Sequence, residues 1–131
     1  MAVTAKDIRV MDVRGVLVVD DNLIVRDVAA AMLEDAGYEV LLAANGTEAM
    51  DMLERHPHIA LLFTDVVMPG VDGFMLADMA KMRWPALKVL YATGFMEIAT
   101  ARSKPGVLHG PIIDKPYHSQ QLQDEVARVL A

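Results

Sequence analysis

From Gly15 onward the chain alternates short apolar runs with longer stretches in which apolar residues recur every three or four positions. Residues 16–20 are a β-branched run ending in acids, which predicts a buried strand. Residues 23–36 place Val25, Val28, Ala29, Met32 and Leu33 on one helical stripe, and Gly37 is suited to close that helix in left-handed backbone. Residues 38–43 read as a second strand. Asn45, with Glu48 three positions later, resembles a capping box that opens a helix running through about Arg55. Residues 59–64 form a third strand that runs into Asp65, and Pro69-Gly70 with Asp72-Gly73 marks a loop. A helix is expected over 74–83, stopped before Pro85. A fourth strand over 87–92 follows, then a short helix over 95–103, a short fifth strand over 112–114 and a last helix over 119–130. That last helix carries Leu122, Val126 and Val129 on one face.

Five strand–helix units with continuously apolar strands argue for an α/β fold, a parallel sheet covered on both faces. The arrangement expected is a flavodoxin-like (βα)5 sandwich with strand order 2-1-3-4-5. The 131 residues leave no room for a second domain of ordinary size, so 1–14 reads as an N-terminal arm and 15–131 as one domain. The apolar runs are of strand length, far too short to span a bilayer, and the N-terminus lacks a secretory pattern. Cysteine is absent, which fits a reducing compartment, and a cytoplasmic location is expected. Twelve basic and 18 acidic residues give a net charge of −6, against general attraction to nucleic acid. The ten Met residues fit adaptable core filling, or in part a partner-binding face.

Charge becomes informative when placed on this fold. Ligands of open α/β sheets bind beyond the carboxyl ends of the strands, where the strand order reverses, here between the first and third. The first strand ends in Asp20-Asp21, the third in Asp65 and the fourth in Thr93, while the fifth delivers Lys115. Three carboxylates and one ammonium would thus meet at one edge. Carboxylates packed together repel one another unless a cation joins them. An all-oxygen set without His or Cys suits a hard ion such as Mg2+. Phosphoryl transfer needs an in-line nucleophile and stabilised equatorial oxygens, roles open to an ionised Asp and to Mg2+, Lys115 and Thr93.

At these residues the chain closely resembles the receiver domains of bacterial two-component response regulators. The matching segments are Val18-Val-Asp-Asp-Asn22, Asp65-Val-Val-Met-Pro-Gly-Val-Asp-Gly73, Ala92-Thr-Gly94 and Asp114-Lys-Pro-Tyr117. The resemblance implies that Asp65 is the phosphoacceptor. It implies Mg2+ bound by the side chains of Asp21 and Asp65 and the backbone carbonyl of Val67, with Asp20 acting largely through water. Thr93 and Lys115 would contact the phosphoryl group, and Lys115–Pro116 would be cis. The implied donor is a histidine kinase or a histidine phosphotransfer protein, and a monomer is expected.

One position departs from the family pattern. Where most receivers carry an aromatic residue three before the Lys, this chain has Ile112, so the usual aromatic switch cannot operate there. Tyr91-Ala-Thr-Gly-Phe95 partly resembles the Phe-Ala-Thr-Gly-aromatic variant of receivers. Phe95 either shares the switching role with Thr93 or simply packs beneath the following helix. Val67 and Phe95, both apolar, cannot position a water, so slow loss of the phosphoryl group is expected. Leu23 and Ile24 fall off the buried stripe beside the acid pair, where they suit docking of a helical phosphodonor, unless a neighbouring loop or helix covers them. The four His residues, His56, His58, His109 and His118, show no helical ligand spacing and read as surface residues. No P-loop, dinucleotide fingerprint or nucleophile elbow is present. Two other functions stay open: a protein-binding receiver that works without phosphorylation, and a Mg-dependent aspartyl-phosphate phosphatase. The chain reads equally as a free regulator or as the receiver of a hybrid kinase.

Overall fold

The computed structural model describes residues 14–94 and 108–131. In chain order these form β1 (Gly15–Val19), α1 (Leu23–Asp35), β2 (Glu39–Ala43), α2 (Gly46–Arg55), β3 (Ile59–Asp65), α3 (Gly73–Arg83), β4 (Lys88–Thr93), β5 (Ile112–Asp114) and α4 (Ser119–Leu130). The strands are all parallel and pair in the order β2-β1-β3-β4-β5. This is the order expected from the sequence. The short helix expected at 95–103 and the arm at 1–13 lie outside the described residues. Arg14, the last residue of that arm, donates from Nη1 to the carbonyl of Leu130 at 2.6 Å.

Alternation along the strands divides the core in two. Leu17, Val19, Leu62, Val89 and Tyr91 face one way, against Ala49 and Leu53 of α2 and Phe74, Leu76, Ala77 and Ala80 of α3. Val16, Val18, Leu61, Phe63, Leu90 and Ala92 face the other, against Ala29 and Leu33 of α1 and Leu122, Val126 and Leu130 of α4. The three inner strands β1, β3 and β4 are covered on both faces, which is why they read as nearly unbroken apolar runs, while the edge strand β2 leaves Glu39 and Leu42 exposed.

Two stripes differ from expectation. Val28 is 47% exposed, because the buried line of α1 runs through Ala29, Ala30 and Leu33, leaving Val25 and Met32 at its margin. The small Ala29 and Ala30 occupy the sheet-facing side of α1, and Val28 falls on the outer side of that line. On α4 the buried line runs 122, 126, 130, so Leu130 is buried and Val129 is marginal. The caps follow the sequence closely. Asn45 accepts from the Glu48 backbone N–H at 2.9 Å, while Glu48 reaches one residue past the cap, to the N–H of Ala44, at 2.9 Å. Gly37 has a φ of +95°, as its place after the helix demands.

Two tyrosines anchor the two layers. The ring of Tyr91 lies 5.0 Å from that of Phe74, and its hydroxyl oxygen accepts from the His109 N–H at 3.3 Å. Tyr117 packs edge-on against Phe63 at 5.9 Å. Burial pushes both phenols up to about 12. A phenol whose folded pKa is raised contributes its full stability below its ordinary pKa of 10 and loses it as pH climbs toward about 12. Chemical denaturation should therefore show falling stability across that window, with phenolate absorbance from these two rings appearing near its upper end. Ionisation of both rings at their ordinary pKa in the folded protein would contradict this.

Candidate functional site

The site forms at the carboxyl ends of β1, β3, β4 and β5. Val19 pairs with Thr64, so the next residues, Asp20 and Asp65, leave neighbouring strands side by side. Asp65 pairs with Ala92, and Thr93 with Asp114, which brings Thr93 and Lys115 to the same edge. The backbone N–H of Lys115 donates to the carbonyl of Thr93 at 3.0 Å, extending the pairing of β4 and β5 into the loop. The Lys115–Pro116 peptide is cis, as expected.

Lys115 draws the carboxylates together. Its Nζ donates to Asp20 Oδ2 at 3.0 Å and stands 3.3 Å from Asp65 Oδ1. One carboxylate oxygen from each of Asp20, Asp21 and Asp65 can be chosen so that all lie within 4.8 Å of one another. Asp20 is buried, Asp65 half-buried and Asp21 exposed, so the cluster opens to solvent on the Asp21 side. Burial raises the Asp65 carboxyl above its usual range; the Lys115 ammonium opposes this and the Asp20 charge adds to it. Three acids share one ammonium and no sulfur or imidazole. Such a donor set fits a hard divalent cation, which would relieve the repulsion that remains.

The segment after Asp65 is folded tightly beneath it. Gly73 donates its N–H to the Val66 carbonyl at 2.9 Å, and a Cβ at Gly73 would fall 2.3 Å from the Asp65 carbonyl oxygen. Asp72 caps α3 by accepting from the Met75 N–H at 2.9 Å. The Asp72-Gly73 pair, read in the sequence only as a turn, therefore starts a helix and brings its first residue against the backbone of Asp65.

Residues 16–127 match the family described as response regulator receiver domain. The chain belongs to that family. This receiver is 33% identical over 117 residues to the response regulator receiver protein CpdR of Brucella abortus, covering 89% of this chain and 97% of CpdR. It is 33% identical to part of the sensor kinase CckA of the same organism, covering 88% of this chain but 12% of CckA. The chemotaxis protein CheY4 of Vibrio cholerae superposes with a TM-score of 0.83 at 28% identity, covering 90% of the receiver and 99% of CheY4. The receiver is thus a phosphoacceptor of two-component signalling, and the family works with histidine kinases or phosphotransfer proteins. No described helix is long and apolar enough to cross a membrane.

The structure brings Asp20, Asp21, Asp65, Thr93 and Lys115 together, and Thr93 is buried. Val67 is exposed two residues past Asp65. Phe95 lies outside the described residues. Ile112 is half-buried, beside Tyr91 in the sheet. Leu23 and Ile24 are 59% and 74% exposed. Three of the four histidines have polar partners, His58 with Glu39 at 2.8 Å, His109 with Asp78 at 2.7 Å, and His118 Nδ1 accepting from the Gln121 N–H at 3.3 Å, while His56 packs its ring edge-on against His58. A cavity of about 600 Å3 lined by His56, His58, Arg83, Trp84 and Lys88 lies at the opposite end of the sheet and holds none of the acids. Asn22, quoted above only within a matching segment, and Arg26, not read at all, hold Asp20 in place. The backbone N–H of Asn22 donates to Asp20 Oδ1 at 2.9 Å, and Arg26 Nη1 to the Asp20 carbonyl at 3.0 Å. Asn22 also caps α1, and its place between the acid pair and an apolar helix was the available signal.

Proposed function

We propose that this receiver takes a phosphoryl group from a phosphohistidine onto Asp65. The observation that carries the reading is the Lys115 ammonium reaching both Asp20 and Asp65 at one partly buried edge. An Asp65 carboxylate oxygen forms the new bond to phosphorus as the phosphorus–nitrogen bond of the donor breaks, and the imidazole keeps the electron pair. Lys115 sits where its charge meets one phosphoryl oxygen, and the Thr93 hydroxyl serves another. Asp20, Asp21, Asp65 and the carbonyl of Val67 would hold Mg2+. That ion supplies neutralisation of charge on the transferring group.

No separate metabolite is turned over. The receiver catalyses its own loading and, with apolar Val67 beside the acceptor, slow hydrolysis. The test is incubation with a small phosphodonor, with and without Mg2+, followed by intact mass. Uptake of one phosphoryl group that requires Mg2+ is the expected result. Steady release of phosphate at many turnovers would favour a phosphatase, and no uptake a binding module.

Donor docking is assigned to the start of α1. Ile24, Val25, Val28 and Met32 line an apolar hollow of about 360 Å3 with Lys115, Pro116 and Tyr117, and Leu23 stands exposed at the same end of the helix. Val28, exposed on the outer side of α1, thereby belongs to this surface. A helix carrying the donor His could lay an apolar face here with its imidazole toward Asp65. The double variant Leu23→Ala/Ile24→Ala should slow phosphotransfer from the cognate donor by about tenfold, since losing two apolar anchors costs roughly 1–2 kcal/mol. Its rate with a small phosphodonor should not change. Equal slowing with both donors would rule out docking as the cause.

A further inference from the structure

Asp20 has every polar group engaged. Its N–H donates to the Ala43 carbonyl at 3.2 Å. Its Oδ1 accepts from the Asn22 N–H at 2.9 Å, and its Oδ2 from Lys115 Nζ at 3.0 Å. Its carbonyl accepts from Arg26 Nη1 at 3.0 Å. This last bond differs in kind, because that carbonyl belongs to the peptide joining Asp20 to Asp21. Turning that peptide would re-aim Asp21, which is exposed and whose side chain has no hydrogen-bond or ion-pair partner among the described residues. The geometry of Asp21 is therefore set by its backbone, and the far side of that backbone is held by Arg26.

Arg26 is itself an unusual placement. Its Nε is buried with no hydrogen-bond partner among the described residues. A guanidinium reaching the surface would satisfy all its donors in water, so leaving one of them dry needs compensation elsewhere. The charge-assisted bond to the Asp20 carbonyl is the compensation in view. It runs from the second turn of α1 back to the loop that opens the helix, tying the helix to the acid pair.

We propose that Arg26 is a positioning residue for the divalent cation: it fixes the Asp20–Asp21 peptide so that the Asp21 carboxylate stays within reach of Asp20 and Asp65. This rests on the Mg2+ reading given above. The sign of the effect distinguishes it from simple electrostatics. Removing a cation near a cation site relieves repulsion and should tighten Mg2+ binding. Losing a support behind a ligand should weaken it, by about tenfold or more.

The experiment is calorimetric titration of Mg2+ into the whole chain carrying Arg26, Arg26→Lys or Arg26→Met. Arg26→Met should bind Mg2+ about tenfold more weakly, while Arg26→Lys, which keeps a donor for the same carbonyl, should stay within about threefold of the parent. In reactions with a small phosphodonor, Arg26→Met should need more Mg2+ for half-maximal rate and approach the parent rate when Mg2+ saturates. A general loss of structure would lower both together. Binding by Arg26→Met as tight as the parent's, or tighter, overturns the proposal. Should Arg26→Met fail to fold, Arg26→Gln, whose shorter side chain falls short of the carbonyl, carries the same expectation and the same overturning result. A parent that binds no Mg2+ would instead overturn the metal reading itself, and this inference with it.

Discussion

Asp65→Asn is expected to reduce phosphoryl uptake from either a small phosphodonor or a phosphohistidine to background, while leaving the fold intact. The amide has the shape of the carboxylate, but no ionised oxygen to attack phosphorus. Neither neighbouring acid is placed to substitute. Asp20 has one oxygen on the Asn22 N–H and the other on Lys115, and Asp21 is exposed on the open side of the cluster. Stability should move the other way. Burial raises the Asp65 carboxyl even with Lys115 beside it, so the ionised acid is a net burden on the folded protein without a cation. Asp65→Asn should therefore melt higher than the parent in the absence of Mg2+, and adding Mg2+ should narrow or reverse that gap. Retained uptake at the parent rate would exclude Asp65 as the acceptor. A lower melting temperature without Mg2+ would mean the acid is held more comfortably than its surroundings indicate.

Gly110→Ala should be the most damaging small substitution in the described chain. A Cβ at Gly110 would stand 1.7 Å from the Val89 carbonyl oxygen and 2.7 Å from the Val89 carbonyl carbon. Those atoms are backbone of β4, which is held by β3 on its other side, so no side chain can rotate away. The segment before β5 would have to lift, and with it the Tyr91 N–H to Pro111 carbonyl bond of 2.9 Å and the His109 N–H to Tyr91 hydroxyl bond of 3.3 Å. Overpacking and broken pairing together should cost about 3 kcal/mol or more. Urea unfolding curves compared with Gly94→Ala provide the control, because a Cβ at Gly94 would meet Lys115 Cβ at an ordinary 3.7 Å. A loss at Gly110 no larger than at Gly94 would show that the loop yields easily.

The elements and the acidic edge were legible in the sequence because each depends on local signals. A strand buried on both faces must be apolar throughout, and an acid following it falls on one defined edge. Gly37, Asn45 and Asp72 mark turns and caps that a few neighbouring residues determine. What escaped depends on packing between elements. Val28 and Val129 satisfy a helical period, but the depth of each helix on the sheet decides which of two adjacent positions is covered. Gly110 gives no sign in sequence that a strand backbone passes against it. The His109–Asp78 pair joins residues from separate elements, as does the Gln123 side chain on the Met32 carbonyl at 2.8 Å. Arg26 was unread for a further reason: an arginine on a helix is ordinarily a solvated charge, and its bond is to a backbone atom, which no pattern of side chains reports.

The bond from Arg14 to the Leu130 carbonyl has a consequence for how such a domain is used. It holds the entry to β1 and the exit of α4 together, at the pole away from the carboxylates. The first strand and the last helix thus meet at one pole, and the carboxylates lie at the other. The fold behaves like a plug with both leads at its back. Pulling on those two ends would load the Arg14–Leu130 contact first, well away from the acids.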